Sequence, residues 1–91
     1  GRYAGFFLGQ IYGARRDFDQ SKIYYEKAIK YAEEIEALES GYYLYSLLYL
    51  GKMQWSAGDK SSAKDNFKKI KKHAKRSHGA HEGMRTVMSK K

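Results

Sequence analysis

The chain has 91 residues, a formal net charge of +8, and neither cysteine nor proline. At this length it forms one small domain with a modest core, and the lack of cysteine excludes disulfides, thiolate metal sites and cysteine nucleophiles. Long stretches rich in alanine, leucine, lysine and glutamate, uninterrupted by proline, predict an all-α fold.

The sequence contains no candidate membrane span. Its longest mainly apolar stretch, residues 41–50, is about half as long as a bilayer-crossing helix. No signal-peptide pattern opens the chain. We therefore expect a soluble protein and slightly favour the cytoplasm. Because the chain begins with Gly1 and already inside a predicted helix, we interpret it as the C-terminal fragment of a longer repeat protein.

Helical patterns recur along the whole chain. In order, they predict helices at residues 2–14, 19–38, 41–57, 60–77 and 80–88. Side-chain oxygens are available to cap three of them: Asp17 or Asp19 for the second, Ser40 for the third and Asp59 for the fourth. The fifth has only a small apolar face, and we expect it to cap the end of the preceding helices.

The first four predicted helices form an internal repeat. A shift of 42 positions aligns small residues with small ones and aromatic residues with aromatic ones: Leu8 with Leu50, Gly9 with Gly51, Asp17 with Asp59, Ser21 with Ala63, Tyr25 with Phe67, and Ala32 with Ala74. Each unit reads as an apolar helix, a short turn containing Asp, and an amphipathic helix. This predicts two antiparallel helical hairpins.

The hairpins need close contact between their helices. Gly9 and Gly51 lack a Cβ atom, which lets the partner helix approach. The large apolar side chains expected to fill the space between the helices are Phe18, Tyr25, Phe67 and Ile70.

These two units resemble the tetratricopeptide repeat. The matching residues are Leu8, Gly9, Tyr12, Asp17, Phe18, Ser21, Tyr25 and Ala28 in the first unit, and Leu50, Gly51, Gly58, Asp59, Ala63 and Phe67 in the second. The resemblance implies a short α-α superhelix with hairpins at residues 1–39 and 40–78 and a basic C-terminal capping helix at residues 79–91. The 42-residue offset exceeds the family's period of about 34 residues, and Arg16 replaces the turn glycine.

Members of that family bind ligands on a concave face formed by the first helix of each repeat. The resemblance places the partner-binding positions of this chain at Tyr3, Phe6, Gln10, Tyr45, Leu48, Lys52 and Trp55. It implies a protein-interaction scaffold that binds an extended or helical peptide in an aromatic groove. Alternatively, Trp55 packs against the fifth helix, a preceding repeat or a second copy of the chain.

Positive charge is concentrated in the last third of the chain. Residues 1–59 hold seven basic and eight acidic residues, a net charge of −1, whereas residues 60–91 hold eleven basic and two acidic ones, a net charge of +9. The basic band consists of Lys64, Lys68, Lys71, Lys72, Lys75 and Arg76. It is either a solvated face, a partner for the acidic end of the second helix, or an interface for nucleic acid or an anionic surface.

No catalytic or cofactor pattern is present. The sequence lacks a nucleophile triad, paired acid–base carboxylates and a phosphate-binding loop, which predicts a non-enzyme without cofactors. His73, His78 and His81 read as exposed residues and not as a metal site, because their surroundings are cationic. Two hairpins leave an apolar end, so we expect either a two-fold homodimer or further N-terminal repeats.

Overall fold

The computed structural model describes residues 3–89. Within this range it contains five α-helices and no strand: α1 Ala4–Ala14, α2 Phe18–Glu34, α3 Gly41–Ser56, α4 Lys60–His73 and α5 Gly79–Ser89. The predicted all-helical fold is confirmed. The predicted start of the first helix at residue 2 and the last two residues of the predicted tail lie outside the described range. Among the residues described, no helix combines the length and apolarity needed to cross a membrane.

Two helices end earlier than predicted. α2 stops at Glu34 because Glu36 has a left-handed backbone, with φ 57°, and the Ala37 amide donates to the Ala32 carbonyl at 2.8 Å. α4 stops at His73 because Ala74 is extended, with φ −94° and ψ 143°. Neither end is marked by glycine, the usual residue at such a position. The sequence therefore gave no signal for these two ends.

Aspartate caps begin the second helix of each hairpin. The side chain of Asp17 accepts a hydrogen bond from the Gln20 amide, and that of Asp59 accepts one from the Ser62 amide. Both predicted caps are confirmed. The predicted Ser40 cap is wrong, because the Ser40 hydroxyl donates to the Ala37 carbonyl at 2.6 Å instead of accepting from α3.

The five helices pack as two pairs and a single helix. α1 packs on α2 and α3 on α4, α2 joins the pairs by packing on α3, and α5 lies on α3 and α4. Gly5 faces Ala28 while Gly13 faces Ser21, so α1 and α2 run antiparallel. α3 contacts every other helix and is the centre of the fold.

The turns inside the two hairpins share one backbone geometry. Gly58 has φ 90° and Arg16, its equivalent under the 42-residue shift, has φ 64°. A residue with a Cβ atom meets a steric penalty of about 1–2 kcal/mol in this conformation, whereas glycine does not. The first hairpin therefore keeps the turn of the second despite the unfavourable residue.

The core is assembled around α3. Its most buried side chains include Tyr43, Leu44 and Leu47, and the second hairpin adds Phe67 and Ile70, as predicted. Phe18 was predicted to fill the core, but 52% of its surface is exposed. Phe18 is the first residue of α2, so its side chain lies at the end of the hairpin and not between its helices.

Close approach at two glycines holds each hairpin together. A Cβ added to Gly9 would lie 2.6 Å from the Tyr25 ring, and one added to Gly51 would lie 2.5 Å from the Phe67 ring. Both separations are too short for any side chain. The repeat places an aromatic ring over a glycine in each hairpin, and the close helix contact predicted at Gly9 and Gly51 is confirmed.

We expect Gly51→Ala to destabilise the protein by about 1–2 kcal/mol, because overpacking against Phe67 exceeds the gain of about 1 kcal/mol in helix propensity. Urea denaturation followed by circular dichroism measures the loss. Gly41→Ala is the matched control, since no atom lies within 4 Å of its added Cβ. Equal losses in the two variants would contradict a steric cause.

Candidate functional site

A cleft lies between the two hairpins, where the α1–α2 turn faces the C-terminal half of α3. Its volume is about 570 Å³. We call it the main cleft. Its apolar side chains come from both hairpins and are Phe18, Tyr25, Tyr49 and Met53. Such a cleft can accept a large apolar side chain from a partner.

The main cleft is open because the two hairpins differ at one equivalent position. In the second hairpin Trp55 packs against Phe67, with ring centroids 6.3 Å apart. The 42-residue shift pairs Trp55 with Gly13 and Phe67 with Tyr25. Gly13 has no side chain to place against Tyr25, and both residues line the cleft. The first hairpin therefore has a cleft where the second holds an indole.

Tyr49 is the centre of an aromatic cluster beside the main cleft. Its ring centroid lies 6.3 Å from that of Phe6, 5.9 Å from that of Tyr25 and 6.1 Å from that of Tyr45. These spacings are typical of attractive aromatic pairs. The cluster joins α1, α2 and α3, and it fixes one wall of the cleft.

A second cleft, the side cleft, lies between α3 and α5 and has a volume of about 320 Å³. Tyr49 and Lys52 line both clefts. On the other side, Glu82 and Thr86 of α5 supply polar groups. The two clefts are thus adjacent, and Tyr49 and Lys52 separate them.

The structure brings together three of the predicted partner-binding residues. Phe6 and Tyr45 both pack on Tyr49, and Lys52 lines both clefts. Leu48 lies close by but is only 7% exposed, because α5 covers it at Gly83. The concave surface predicted from the first helices is therefore partly filled by α5.

The other predicted positions lie apart from the clefts. Tyr3 is half-exposed and packs edge-on against Tyr42, at 5.2 Å between ring centroids. Gln10 is exposed and lines neither cleft. Trp55 lies between Phe67 and the Lys60 ammonium, which is 4.8 Å from the centre of a Trp55 ring. Both contacts are within its own hairpin.

Sequence reasoning missed the residues that line the main cleft most directly. Phe18 was assigned to the core, and neither Tyr49 nor Met53 was proposed as a binding residue. A usable signal was present, because the repeat aligns Gly13 with Trp55. When one repeat has a small residue at a position where the other repeat has a large one, a cavity is expected in the repeat with the small residue.

Tyr25 lines the main cleft and is itself largely buried. Burial, together with the nearby Tyr49, raises the pKa of Tyr25 to about 12.

The basic band is exposed on α4 and the segment that follows it. All six of its side chains are exposed, and none forms a salt bridge with a residue in the described range. Lys71 and Lys72 lie in the last turn of α4, where positive charge is favoured by the helix dipole. These two lysines thus stabilise the end of α4, and all six side chains of the band are accessible to an anion.

One acidic residue links α2 to the second hairpin. The carboxylate of Glu33 accepts hydrogen bonds from Lys69 at 2.9 Å and from the Tyr43 hydroxyl at 2.8 Å. Burial alone would raise the pKa of Glu33, but these two bonds outweigh it and hold that pKa below its ordinary value of 4.5. The predicted pairing between the acidic end of α2 and the basic helix is realised, within the described residues, by this single ion pair.

The histidines are less exposed than predicted. His81 is only 7% exposed, His73 packs beside the Tyr43 ring, and His78 accepts a hydrogen bond from the Ala80 amide. The interpretation of three exposed histidines is wrong, because α5 folds back onto α3 and α4. Over residues 3–89, no cluster of three or more His, Cys, Asp or Glu side chains has the arrangement of a metal site.

Comparisons with protein-family models, curated proteins and solved structures found no match. The resemblance to tetratricopeptide repeats therefore rests on the residues of the chain itself. The features of the chain that bear on its function are the clefts and the charged surfaces.

We expect Glu33→Gln to reduce stability near neutral pH by about 0.5–1 kcal/mol, a value limited by solvent screening of the ion pair. Because the folded-state pKa is lowered, the contribution of Glu33 is present above the unfolded value of 4.5 and is lost as pH falls through the folded value. Urea denaturation at neutral pH and at about pH 3 measures the free energy of unfolding of wild type and variant, and so gives both the loss and its dependence on pH.

The difference between wild type and Glu33→Gln should shrink in acid. Glu34→Gln is the control, because Glu34 is exposed and forms no salt bridge with any described residue. A loss for Glu33→Gln that is independent of pH would show that the ionised carboxylate is not what stabilises this contact.

Proposed function

We propose that this chain is a protein-interaction module of tetratricopeptide type that binds a peptide in the main cleft. The observation that supports this most is the cleft itself, about 570 Å³ in volume and lined by apolar side chains from both hairpins. A site formed by two packed hairpins keeps a fixed shape, which lowers the entropy lost on binding.

The cleft favours a peptide with a large apolar side chain as its anchor. Phe18 is half-exposed, and Tyr49 and Met53 are partly buried, so an inserted side chain would cover apolar surface that now faces solvent. Burying a leucine or phenylalanine side chain contributes about 1.5–3 kcal/mol. An affinity of about 1–100 µM corresponds to a binding free energy of about 5.5–8 kcal/mol, so contacts flanking the anchor have to supply the remainder.

Lys52 favours an acidic group next to that anchor. It lines the main cleft, is exposed, and forms no salt bridge with any residue that the structure describes. A carboxylate of the peptide would pair with it without disrupting an existing contact. The proposed ligand is therefore a mixed apolar and acidic segment of a partner protein.

We expect Gly13→Trp to weaken peptide binding at least tenfold, because its indole would lie against Tyr25 as Trp55 lies against Phe67 and fill the cleft. A random peptide library displayed on phage supplies the ligand. The selected peptide, labelled with fluorescein, is then titrated with each variant and followed by fluorescence anisotropy.

Ala14→Trp is the matched control, since it adds the same indole at the next residue, which is exposed and does not line the cleft. It should bind the peptide like wild type. Equal affinity of Gly13→Trp and wild type would place the peptide elsewhere and refute the proposal, provided that circular dichroism shows both variants folded.

The basic band supports a second candidate function, binding to nucleic acid or another polyanion. Its six exposed side chains form no salt bridge within residues 3–89. However, the band is mostly lysine, and Phe67, the aromatic residue that lies among these lysines, is buried and cannot stack on bases. We therefore favour peptide binding.

A labelled DNA duplex tests this second function. If the band binds phosphate, affinity should fall steeply with salt, and reversing Lys68, Lys71, Lys72 and Lys75 to glutamate should reduce it by about 100-fold or more. Gly13→Trp should leave duplex binding unchanged. A duplex affinity unaffected by the charge reversal would exclude the band as a nucleic-acid interface.

A further inference from the structure

The outer side of the first hairpin carries a groove that lies between α1 and α2 and is separate from the main cleft. Its volume is about 260 Å³. We call it the outer groove. The residues that matter in it are Ala4, Leu8, Tyr24, Lys27 and Tyr31.

The second hairpin has the same groove, but there it is covered. The 42-residue shift relates the following pairs: Ala4 to Ser46, Leu8 to Leu50, Tyr24 to Asn66, Lys27 to Lys69, and Tyr31 to His73. Ser46 is fully buried and Leu50 is 4% exposed, whereas Ala4 is exposed and Leu8 is only partly buried. The equivalent position is thus occupied in the second hairpin and open in the first.

α2 is the helix that covers the second hairpin. It packs along α3, and its Ile29 and Ala32 belong to the same buried cluster as Leu47 and Leu50. At the next position, Glu33 pairs with Lys69 at 2.9 Å. The covering helix α2 therefore has two apolar residues three positions apart, followed directly by the acidic Glu33. Glu33 pairs with Lys69 of the hairpin that α2 covers.

Lys27 is the equivalent of that lysine in the outer groove. Its ammonium lies 5.2 Å from the centre of the Tyr24 ring, and within the described residues it has no salt bridge. Tyr24 in turn stacks on Tyr12 at 5.5 Å between ring centroids, with an angle of 2° between the planes. At the equivalent place the second hairpin has a polar pair, in which Asn66 donates to Gln54 at 2.7 Å.

The aromatic pair makes the outer groove more apolar than its counterpart. Tyr31, which replaces His73, adds a ring that is 43% exposed. An exposed apolar groove with one unpaired cation is suited to an amphipathic helix that carries an acid beside its apolar stripe.

We propose that the outer groove is a docking site for an amphipathic α-helix of a partner, which lies on α1 as α2 lies on α3 and pairs an acidic residue with Lys27. The partner helix buries Leu8 and Tyr31 and places its carboxylate at the lysine. This surface is distinct from the main cleft, so a peptide and a helix can be bound together.

The sequence of α2 supplies the probe, because it already occupies the equivalent groove within the chain. A synthetic peptide of residues 17–36 is titrated into the isotope-labelled full chain and followed by NMR. We expect binding with a Kd of about 10–500 µM and chemical-shift changes centred on Leu8, Lys27 and Tyr31.

A charge swap tests the predicted orientation. Lys27→Glu should weaken binding of the peptide about three- to tenfold, and a peptide carrying Glu33→Lys should restore it. Lys30→Glu is the matched control, since it changes the same charge on the same helix outside the groove, and should alter affinity less than about twofold.

Three results would overturn the proposal. The first is no shift change at the outer groove up to about 1 mM peptide, which is well above the expected Kd. The second is a change centred on α3, which would mean that the peptide replaces the chain's own α2. The third is a dimer in sedimentation experiments that Leu8→Glu dissociates, which would assign the groove to a second copy. Should Leu8→Glu unfold the chain, Tyr31→Ala, at a half-exposed position of the same groove, replaces it in the sedimentation test.

Discussion

An aromatic ring lies over a glycine in each helix pair: Tyr25 over Gly9 and Phe67 over Gly51. The rest of the structure depends on this contact, because it sets how closely the two helices of a hairpin approach. The Ser21 hydroxyl donates to the Gly9 carbonyl at 2.6 Å and fixes the same crossing in the first hairpin. Because the helices within each hairpin lie close together, α3 can pack against α2, and the core forms between the two hairpins.

The candidate sites arise where the two hairpins stop being alike. Gly13 replaces Trp55, so space beside Tyr25 remains empty and becomes the main cleft. The first hairpin has stacked Tyr12 and Tyr24 rings where the second has the hydrogen-bonded pair of Gln54 and Asn66, and these rings make the outer groove more apolar. A repeat provides the frame for both sites, and the differences between its copies give each site its shape and chemistry.

The C-terminal helix α5 covers the side of the second hairpin that faces away from α2. Ala80, Met84 and Val87 are buried against α3 and α4, and Gly83 lets α5 approach Leu48. The second hairpin is therefore covered by α2 on one side and by α5 on the other. The first hairpin has its inner side on α3, while its outer side faces solvent, which is why the unpartnered apolar surface is concentrated there.

The sequence by itself determined the presence of five helices, the pairing of the first four into two hairpins, and the aspartate caps of α2 and α4. These features depend on local patterns: aspartate caps, glycines that allow close contact between helices, and apolar residues three and four positions apart. The tertiary structure alone decided which surfaces stay open. Phe18 and Trp55 could not be placed from local patterns, because their surroundings depend on how the two helices of a hairpin meet near its turn. The same holds for Leu48 and His81, which are buried only because the extended backbone at Ala74 lets α5 fold back across α3.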